Sequence, residues 1–420
     1  MSQDYAILTQ LASEDVPALK QELERRFVEL YGASSEAIKF FAAPARINII
    51  GEHIDYNGGM VLPTAIDRYI FLAIRGRKDT TINYDDIRFP GRFTFDITEN
   101  FSYKKESDYC NYLNGVITIL KDRGVSFPTG FDALFFSCIP DGGGVSSSSA
   151  LECCFVAAMS HLYNGNVNPV DNALIGQETE HRFMNVQCGI MDQFIISTGR
   201  KDSAVLLNCA TLDYQYIPLN LGDYRFIVMN SNKKRQLADS KYNQRVAECK
   251  EGLEILNQAL AAQGKATVEN PCSMTTEQLE ALQEALKTAT PKTAEPEVIY
   301  RRMRHCLMEN QRVYKATDAL KSGNLQELGQ LMNASHESLK TDYETTGIEL
   351  DTLNQEANKI AGCLGARVTG AGFGGCAIAL VHKDSIPAFI DTVGAAYKEK
   401  IGYEATFFQC ATGSGAGPLA

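Results

Sequence analysis

Apolar residues recur at helical spacing near the start of the chain, where Leu19, Leu23, Phe27 and Leu30 follow Asp15-Val16-Pro17 and precede Gly32. An aspartate able to cap, a proline in the first turn and a glycine past the last apolar position predict one helix there. From Lys39 the period changes. Phe40-Phe41-Ala42-Ala43, Ile47-Asn48-Ile49-Ile50, Met60-Val61-Leu62 and Tyr69-Ile70-Phe71-Leu72-Ala73-Ile74 are apolar runs of strand length, so a sheet begins. A helix is predicted to start near Tyr109 and others over 150–159 and 171–185. Strand-like runs return at 204–207 and 226–229, with a domain boundary expected between them. Ser240-Lys241-Tyr242-Asn243-Gln244-Arg245 then opens a long helix. From Glu251 to about Leu331 the pattern stays helical, apart from a polar break over 288–296.

The chain has 420 residues, of which 45% are hydrophobic, more than one ordinary core accommodates, and two domains are expected, 1–215 and 216–420. Its 40 Lys+Arg against 51 Asp+Glu leave a net charge of -11. Neither a nucleic acid nor an anionic membrane surface is an expected partner, and an anionic ligand must be held by a local site. Twelve cysteines lie at wide spacing without a Cys-x-x-Cys pair and read as small buried hydrophobes. The first ten residues carry no basic stretch followed by an apolar run, and no segment approaches the ~20 apolar residues of a membrane span. A cytoplasmic, reducing compartment is expected, and a monomer.

Two stretches carry chemistry. In Pro140-Asp141-Gly142-Gly143-Gly144-Val145-Ser146-Ser147-Ser148-Ser149-Ala150-Leu151-Glu152, three glycines and four serines run into a helical pattern. Free N–H groups and the positive end of the helix dipole make such a place a phosphate cradle. It lacks the Gly-Lys-Ser/Thr of a Walker A loop, and no glycine follows two residues after any serine as in a nucleophile elbow. Taken alone, it is equally a flexible loop ahead of a serine-capped helix. The second stretch, Arg46-Ile47-Asn48-Ile49-Ile50-Gly51-Glu52-His53-Ile54-Asp55-Tyr56-Asn57-Gly58-Gly59, is a charged loop between apolar runs. Glu52, His53 and Asp55 supply the acceptors and donor that grip the hydroxyls of a small polyol. A metal site and a solvated loop are the competing readings.

The run from Ala45 to Pro63 resembles the galactokinase signature within the GHMP family of small-molecule kinases, and the loop from Gly142 to Ser149 resembles that family's phosphate-binding motif. The resemblance extends from about Lys39 to Val381 and implies the site residues that follow. The nucleotide would lie on Gly142, Gly143, Gly144, Val145, Ser146, Ser147 and Ser148, with Tyr109 beside the base. Core packing is the alternative for Tyr109. Glu180 precedes Gly189-Ile190-Met191-Asp192-Gln193 at the interval where the family places its magnesium carboxylate, so Mg2+ would be shared by Glu180, Ser148 and phosphate oxygens. Asp192 would face the sugar hydroxyl as the catalytic carboxylate, with Arg46 beside it and the γ-phosphate. Glu52, His53, Asp55, Gly189 and Tyr242 would contact the sugar.

A third motif, Arg367-Val368-Thr369-Gly370-Ala371-Gly372-Phe373-Gly374-Gly375-Cys376, satisfies Gly-x-Gly-x-x-Gly, but a strand-like run follows it instead of the helix that a dinucleotide site requires. A glycine-rich turn between two strands fits better and resembles the third GHMP motif. The implied fold is α/β: an N-terminal domain of mixed β-sheet and helices, a C-terminal α+β domain, and the active site in the cleft between. The implied reaction moves the γ-phosphoryl group of MgATP to the anomeric hydroxyl of galactose. One departure stands out: Ser149-Ala150 reverses the usual Ala-Ser order, as in relatives that phosphorylate N-acetylgalactosamine, which keeps that substrate open. A catalytically silent sugar and ATP sensor is the remote alternative.

Overall fold

The computed structural model describes residues 3–140, 144–233 and 238–419. Two helices come first, α1 (Gln3–Glu14) and α2 (Val16–Tyr31). Asp15 caps α2, its carboxylate accepting the Ala18 N–H at 3.0 Å. Leu19, Leu23 and Phe27 are fully buried as the helical spacing requires, whereas Leu30, beyond the buried stripe, is exposed.

β1 (Lys39–Asn48) runs unbroken through what the pattern divides into separate short strands. A bulge between Pro44 and Ala45 absorbs the proline, which has no N–H to give to the ladder. β2 (Met60–Val61) and β3 (Pro63–Gly76) follow, then β4 (Thr81–Asp86), β5 (Phe89–Asp96), α3 (Cys110–Asp122) and β6 (Phe131–Ser137). α4 (Ser147–Leu162), α5 (Pro169–Thr179), a π-helical turn (Glu180–Met184), α6 (Met191–Thr198), β7 (Ser203–Asn208) and β8 (Tyr214–Pro218) complete the first half. The helix expected over 171–185 thus ends in a wider turn, a feature that often accompanies functional sites.

β9 (Tyr224–Asn230) and α7 (Ala238–Ala262) open the second half, followed by α8 (Thr276–Leu286), α9 (Pro296–Ser322) and α10 (Leu325–Ser338). The expected helical region therefore breaks at 323–324, where Gly323 ends α9, and at 263–275, as well as at the expected 287–295. Asn270 caps a short turn and Thr275 begins α8 with a capping box, so the break at 263–275 carries its own local signals. A second π-helical turn (Leu339–Tyr343), α11 (Gly347–Ala357), β10 (Cys363–Thr369), β11 (Cys376–His382), α12 (Ile386–Ile401), β12 (Thr406–Cys410) and β13 (Gly417–Pro418) end the chain.

The larger sheet has the order β13-β1-β3-β6-β4-β5, antiparallel except where β4 runs parallel to β6. Alternate side chains divide its two faces. Phe40, Ala42, Phe71, Ala73, Leu134 and Phe136 meet Leu8, Leu19, Leu23 and Phe27 of α1 and α2. Phe41, Ala43, Leu72, Ala133 and Phe135 join the main core, which continues through α3 to α6 and on into the second half. Covered on both sides, these strands read as continuous apolar runs. The other sheets are β10-β11-β9-β12 and β2-β7-β8. β8 lies across the boundary expected at 215/216, and β13 returns from the far end of the chain to pair with β1. Among the described residues no helix is long and apolar enough to cross a membrane.

Candidate active site

Arg46 sits near the end of β1 and Asp192 in the first turn of α6, 146 residues apart in sequence. Arg46 grips the carboxylate with both prongs, Nε to Oδ1 at 2.7 Å and Nη2 to Oδ2 at 2.6 Å. Its remaining Nη1 donates to the Gly144 carbonyl at 2.9 Å. Burial disfavours the guanidinium charge, but Asp192, with Glu52 and Asp55 behind it, more than offsets this and raises the arginine pKa. Ser146 also donates to Asp192 Oδ2. Ser146 holds the left-handed backbone conformation at φ 65° immediately before α4, and its hydroxyl bonds Asp192 in place of capping the helix. That conformation costs a non-glycine residue of order 1–3 kcal/mol, and strain of this kind collects at functional sites.

The 46–59 loop forms the opposite wall. Glu52 is buried, accepts the Gly370 N–H at 3.0 Å and pairs with the fully buried Arg367. Burial, only partly countered by Arg367, pushes its carboxyl up to about 7. Burial and the nearby Asp192 charge do the same to Asp55, also to about 7. Asp55 lies hard against Gly189: a Cβ there would stand 2.0 Å from its Oδ2, so only glycine fits. Both ring nitrogens of His53 are engaged, Nδ1 with the Tyr56 hydroxyl at 2.9 Å and Nε2 with the Ala371 carbonyl at 3.1 Å. Tyr242 packs its ring on those of His53 and Tyr56. With Glu52 and His53 so committed, the loop does not present a metal-ligand set. Among the described residues no group of three or more His, Cys, Asp or Glu is arranged to hold a metal.

A cavity of about 420 Å3 unites these groups. Arg46, Glu52, His53, Asp55, Gly144, Ser146, Ser147, Ser148, Glu180, Gly189, Asp192 and Tyr242 all line it. Gly142 and Gly143 lie outside the described residues. Val145 is buried and gives its carbonyl to the Arg46 N–H at 3.3 Å without lining the cavity. Tyr109, expected beside a base, does not line this cavity; its ring packs against Phe89, Phe93 and Phe135. Tyr112, three residues on along α3, and the exposed Tyr103 do line it. Behind Glu180 lies Glu152, fully buried; burial first, then the Glu180 charge, pushes its carboxyl well above the usual range. Gln193 donates to it at 3.3 Å.

Several residues under the loop are given no role by the sequence: Glu309 lies outside every motif, and Arg367 and Thr369 stand in the third motif only as flanks of its glycines. Glu309 on α9 accepts the Gly51 N–H at 3.0 Å, and Arg367 on β10 donates to the Asn48 carbonyl at 3.1 Å. Thr369 both accepts the Asn48 N–H at 2.9 Å and donates to its carbonyl at 3.2 Å. The glycine-rich motif is the turn between antiparallel β10 and β11, as expected. Gly370, at φ 78°, brings its backbone against the phosphate loop, where a Cβ would stand 2.6 Å from the Gly144 carbonyl oxygen.

Because the serine-bearing end of α4 and the 52–55 carboxylates face one cavity, with Asp192 between them, fold and site define a kinase that phosphorylates a small polyol. Comparison with known proteins narrows the class. A galactokinase galactose-binding signature matches residues 25–76, and the N-terminal and C-terminal GHMP kinase domains match residues 111–200 and 316–399. A galactokinase of Clostridium perfringens is 43% identical over 394 residues, 94% of this chain and 98% of the relative. One from Enterococcus faecalis is 43% identical over 403 residues, 96% and 100% of the two chains. The crystal structure of Lactococcus lactis galactokinase complexed with galactose superposes with a TM-score of 0.87 at 39% identity, covering 96% of this chain and 100% of that one. Methanococcus jannaschii mevalonate kinase, at 18% identity and a TM-score of 0.64 over 91% of this chain and 99% of that one, shares the fold alone. The chain belongs to the galactokinase branch of the GHMP kinases.

Proposed function

We propose that the protein transfers the γ-phosphoryl group of ATP to the anomeric hydroxyl of D-galactose, releasing galactose 1-phosphate and ADP. The observation that carries this reading is the placing of Asp192, gripped by Arg46 and Ser146, between the phosphate loop and the sugar loop. Asp55, Gly189 and Tyr242 bind the sugar, together with Glu52 and the main chain of His53. Asp192 orients the hydroxyl and takes its proton as the O–P bond forms and the bond to the ADP oxygen breaks. Arg46 meets the charge that moves onto the transferring group. Gly144 and Ser146 to Ser148 hold phosphate at the α4 terminus, and Tyr103 and Tyr112 offer aromatic faces to the base.

The cavity suits a magnesium nucleotide. Arg46 is the one cationic side chain among the described residues lining it and is already engaged by Asp192, so a polyphosphate needs a further cation. The Ser148 hydroxyl and Glu180 carboxylate are hard oxygen donors on that wall and would hold Mg2+. When bound, Mg2+ neutralises phosphate charge. We place the division between the two domains at 219–223, because β8 pairs with β7 and β9 with β11 and β12. A cytoplasmic location is supported by the twelve cysteines, all of them free; the monomer expected from the sequence is checked by light scattering.

The test is ADP release from MgATP with galactose, N-acetylgalactosamine, glucose and arabinose offered in parallel, with Asp192→Asn alongside. We expect turnover on galactose and its collapse in the variant by ~10² or more. Turnover on N-acetylgalactosamine alone would keep the mechanism and overturn the substrate. Galactose binding without ADP release would make the protein a sensor.

A further inference from the structure

We propose that His53 is a strut, not a sugar ligand, and that a one-way hydrogen-bond relay from Cys249 through Tyr343 and Tyr56 locks its ring in the Nε2–H tautomer. Tyr56 and Tyr343 thereby become positioning residues for the sugar side of the cavity. The inference rests on reading that cavity as the sugar site, gives a role to Tyr56 of the sugar loop and adds Tyr343 and Cys249 from outside the motifs.

The direction of the relay follows from its end. A carbonyl oxygen can only accept, so the 3.1 Å contact between His53 Nε2 and the Ala371 carbonyl requires the proton on Nε2. A neutral imidazole has one N–H, which leaves Nδ1 as an acceptor, and the Tyr56 hydroxyl 2.9 Å away must donate to it. The Tyr56 oxygen is then free to accept from the Tyr343 hydroxyl at 3.0 Å. The Tyr343 oxygen accepts in turn from the Cys249 thiol at 3.1 Å and from Asn57 Nδ2 at 3.4 Å. Asn57 closes the loop on itself by donating to the His53 carbonyl at 2.8 Å.

Only a charged imidazolium could reverse the relay, and the surroundings oppose it. No carboxylate of the described residues is hydrogen-bonded to either ring nitrogen. Burial, with His305, Arg245 and Arg367 nearby, holds the ring down to about 3. Its plane is also clamped, with the Tyr343 ring 4.9 Å away at 34° and the Tyr242 ring 5.7 Å away at 42°. Both ring nitrogens are used, so the residue offers a sugar only its main chain.

The strut reaches across 318 residues, from the loop after β1 to the turn between β10 and β11. Ala371 follows Gly370, whose N–H is held by Glu52, and precedes by two residues Phe373, whose N–H donates to the Thr345 carbonyl at 2.7 Å. Three successive tethers therefore hold this turn over the cavity, and His53 supplies the middle one.

Nitrogen-15 NMR of histidine-labelled protein tests the relay without any sugar present, with the His53 ring assigned by its loss in His53→Gln. We expect Nε2 protonated and Nδ1 unprotonated from mildly acid to mildly alkaline pH. Tyr56→Phe removes the donor to Nδ1 and should move the Nδ1 resonance off its hydrogen-bonded position, the proton staying on Nε2 against the Ala371 carbonyl, while raising the galactose KM about tenfold, the worth of one hydrogen bond, with the ATP KM unchanged. Tyr343→Phe, one link further away, should raise the galactose KM by a smaller factor, and it serves if Tyr56→Phe does not fold. A proton on Nδ1 in the native protein would overturn the proposal, as would Tyr56→Phe with both the native Nδ1 resonance and the native galactose KM. A ring locked as Nε2–H in a protein that binds no hexose would leave the strut standing and overturn the reading of the cavity.

Discussion

Asp55 and Asp192 share one cavity, and the two carboxylates are treated differently by what surrounds them. Asp192 has Arg46 and Ser146 on its oxygens. Asp55 has no such cation, and burial followed by the Asp192 charge lifts its carboxyl to about 7. Below that pH Asp55 is neutral; above it the carboxylate accepts from hydroxyl donors with the added strength of a charge-assisted bond. Galactose affinity should therefore rise as pH increases through about 7 and level off above it. Calorimetric titration across that range checks this. Glu52 ionises in the same window, so the decisive comparison is Asp55→Asn, which should remove the rise that belongs to Asp55. An unchanged slope in that variant would assign it to Glu52.

Among the elements, the turn between β10 and β11 does most to shape the site from the second half. Gly370 combines φ 78° with a Cβ position 2.6 Å from the Gly144 carbonyl oxygen and 3.3 Å from Arg46 Nη2. Gly370→Ala cannot adopt this backbone without strain and would push on the loop and arginine that frame Asp192. We expect kcat to fall by ~10² while circular dichroism stays native, because displacing reacting groups by about an ångström costs that much. A native kcat would mean that the turn shapes the cleft without governing the chemistry. This turn is readable locally: its glycines lie between two apolar runs, and a hairpin follows from them. The π-helical turn at Glu180–Met184 is not. Its residues have ordinary helical propensity, and the change of pitch is settled by what α5 and α6 pack against.

At the scale of the whole molecule, the main core is continuous from Phe41 to Cys410 and joins both halves. Arg367 and Glu309 from the second half are fully buried beside Glu52 from the first. Such a molecule should unfold in a single transition by differential scanning calorimetry, with calorimetric and van't Hoff enthalpies in agreement. Arg367→Leu leaves the buried Glu52 without its cation, while Glu309 keeps Arg312 at 2.6 Å, and should cost ~3–5 kcal/mol. Two resolved transitions in the native protein would show that the halves are stable apart.

The sequence by itself determined what short-range physics controls. The capped helix ending in the Leu19, Leu23 and Phe27 stripe, the strand runs, the serine-led start of α4, the glycine turn and the dense 46–59 loop all arise from residues within a few positions of one another. Caps, periodicity and turn chemistry leave their mark on the chain at that range. Only the tertiary structure decided the rest. α3 could turn either Tyr109 or Tyr112 to the cavity, and the aromatic packing of Phe89, Phe93 and Phe135 took Tyr109 inward. Arg367, Glu309 and Tyr343 come to the sugar loop from more than 250 residues away, and β13 reaches β1 across nearly the whole chain. Contacts between such distant segments depend on how whole elements pack, and that packing leaves no periodic imprint on either partner.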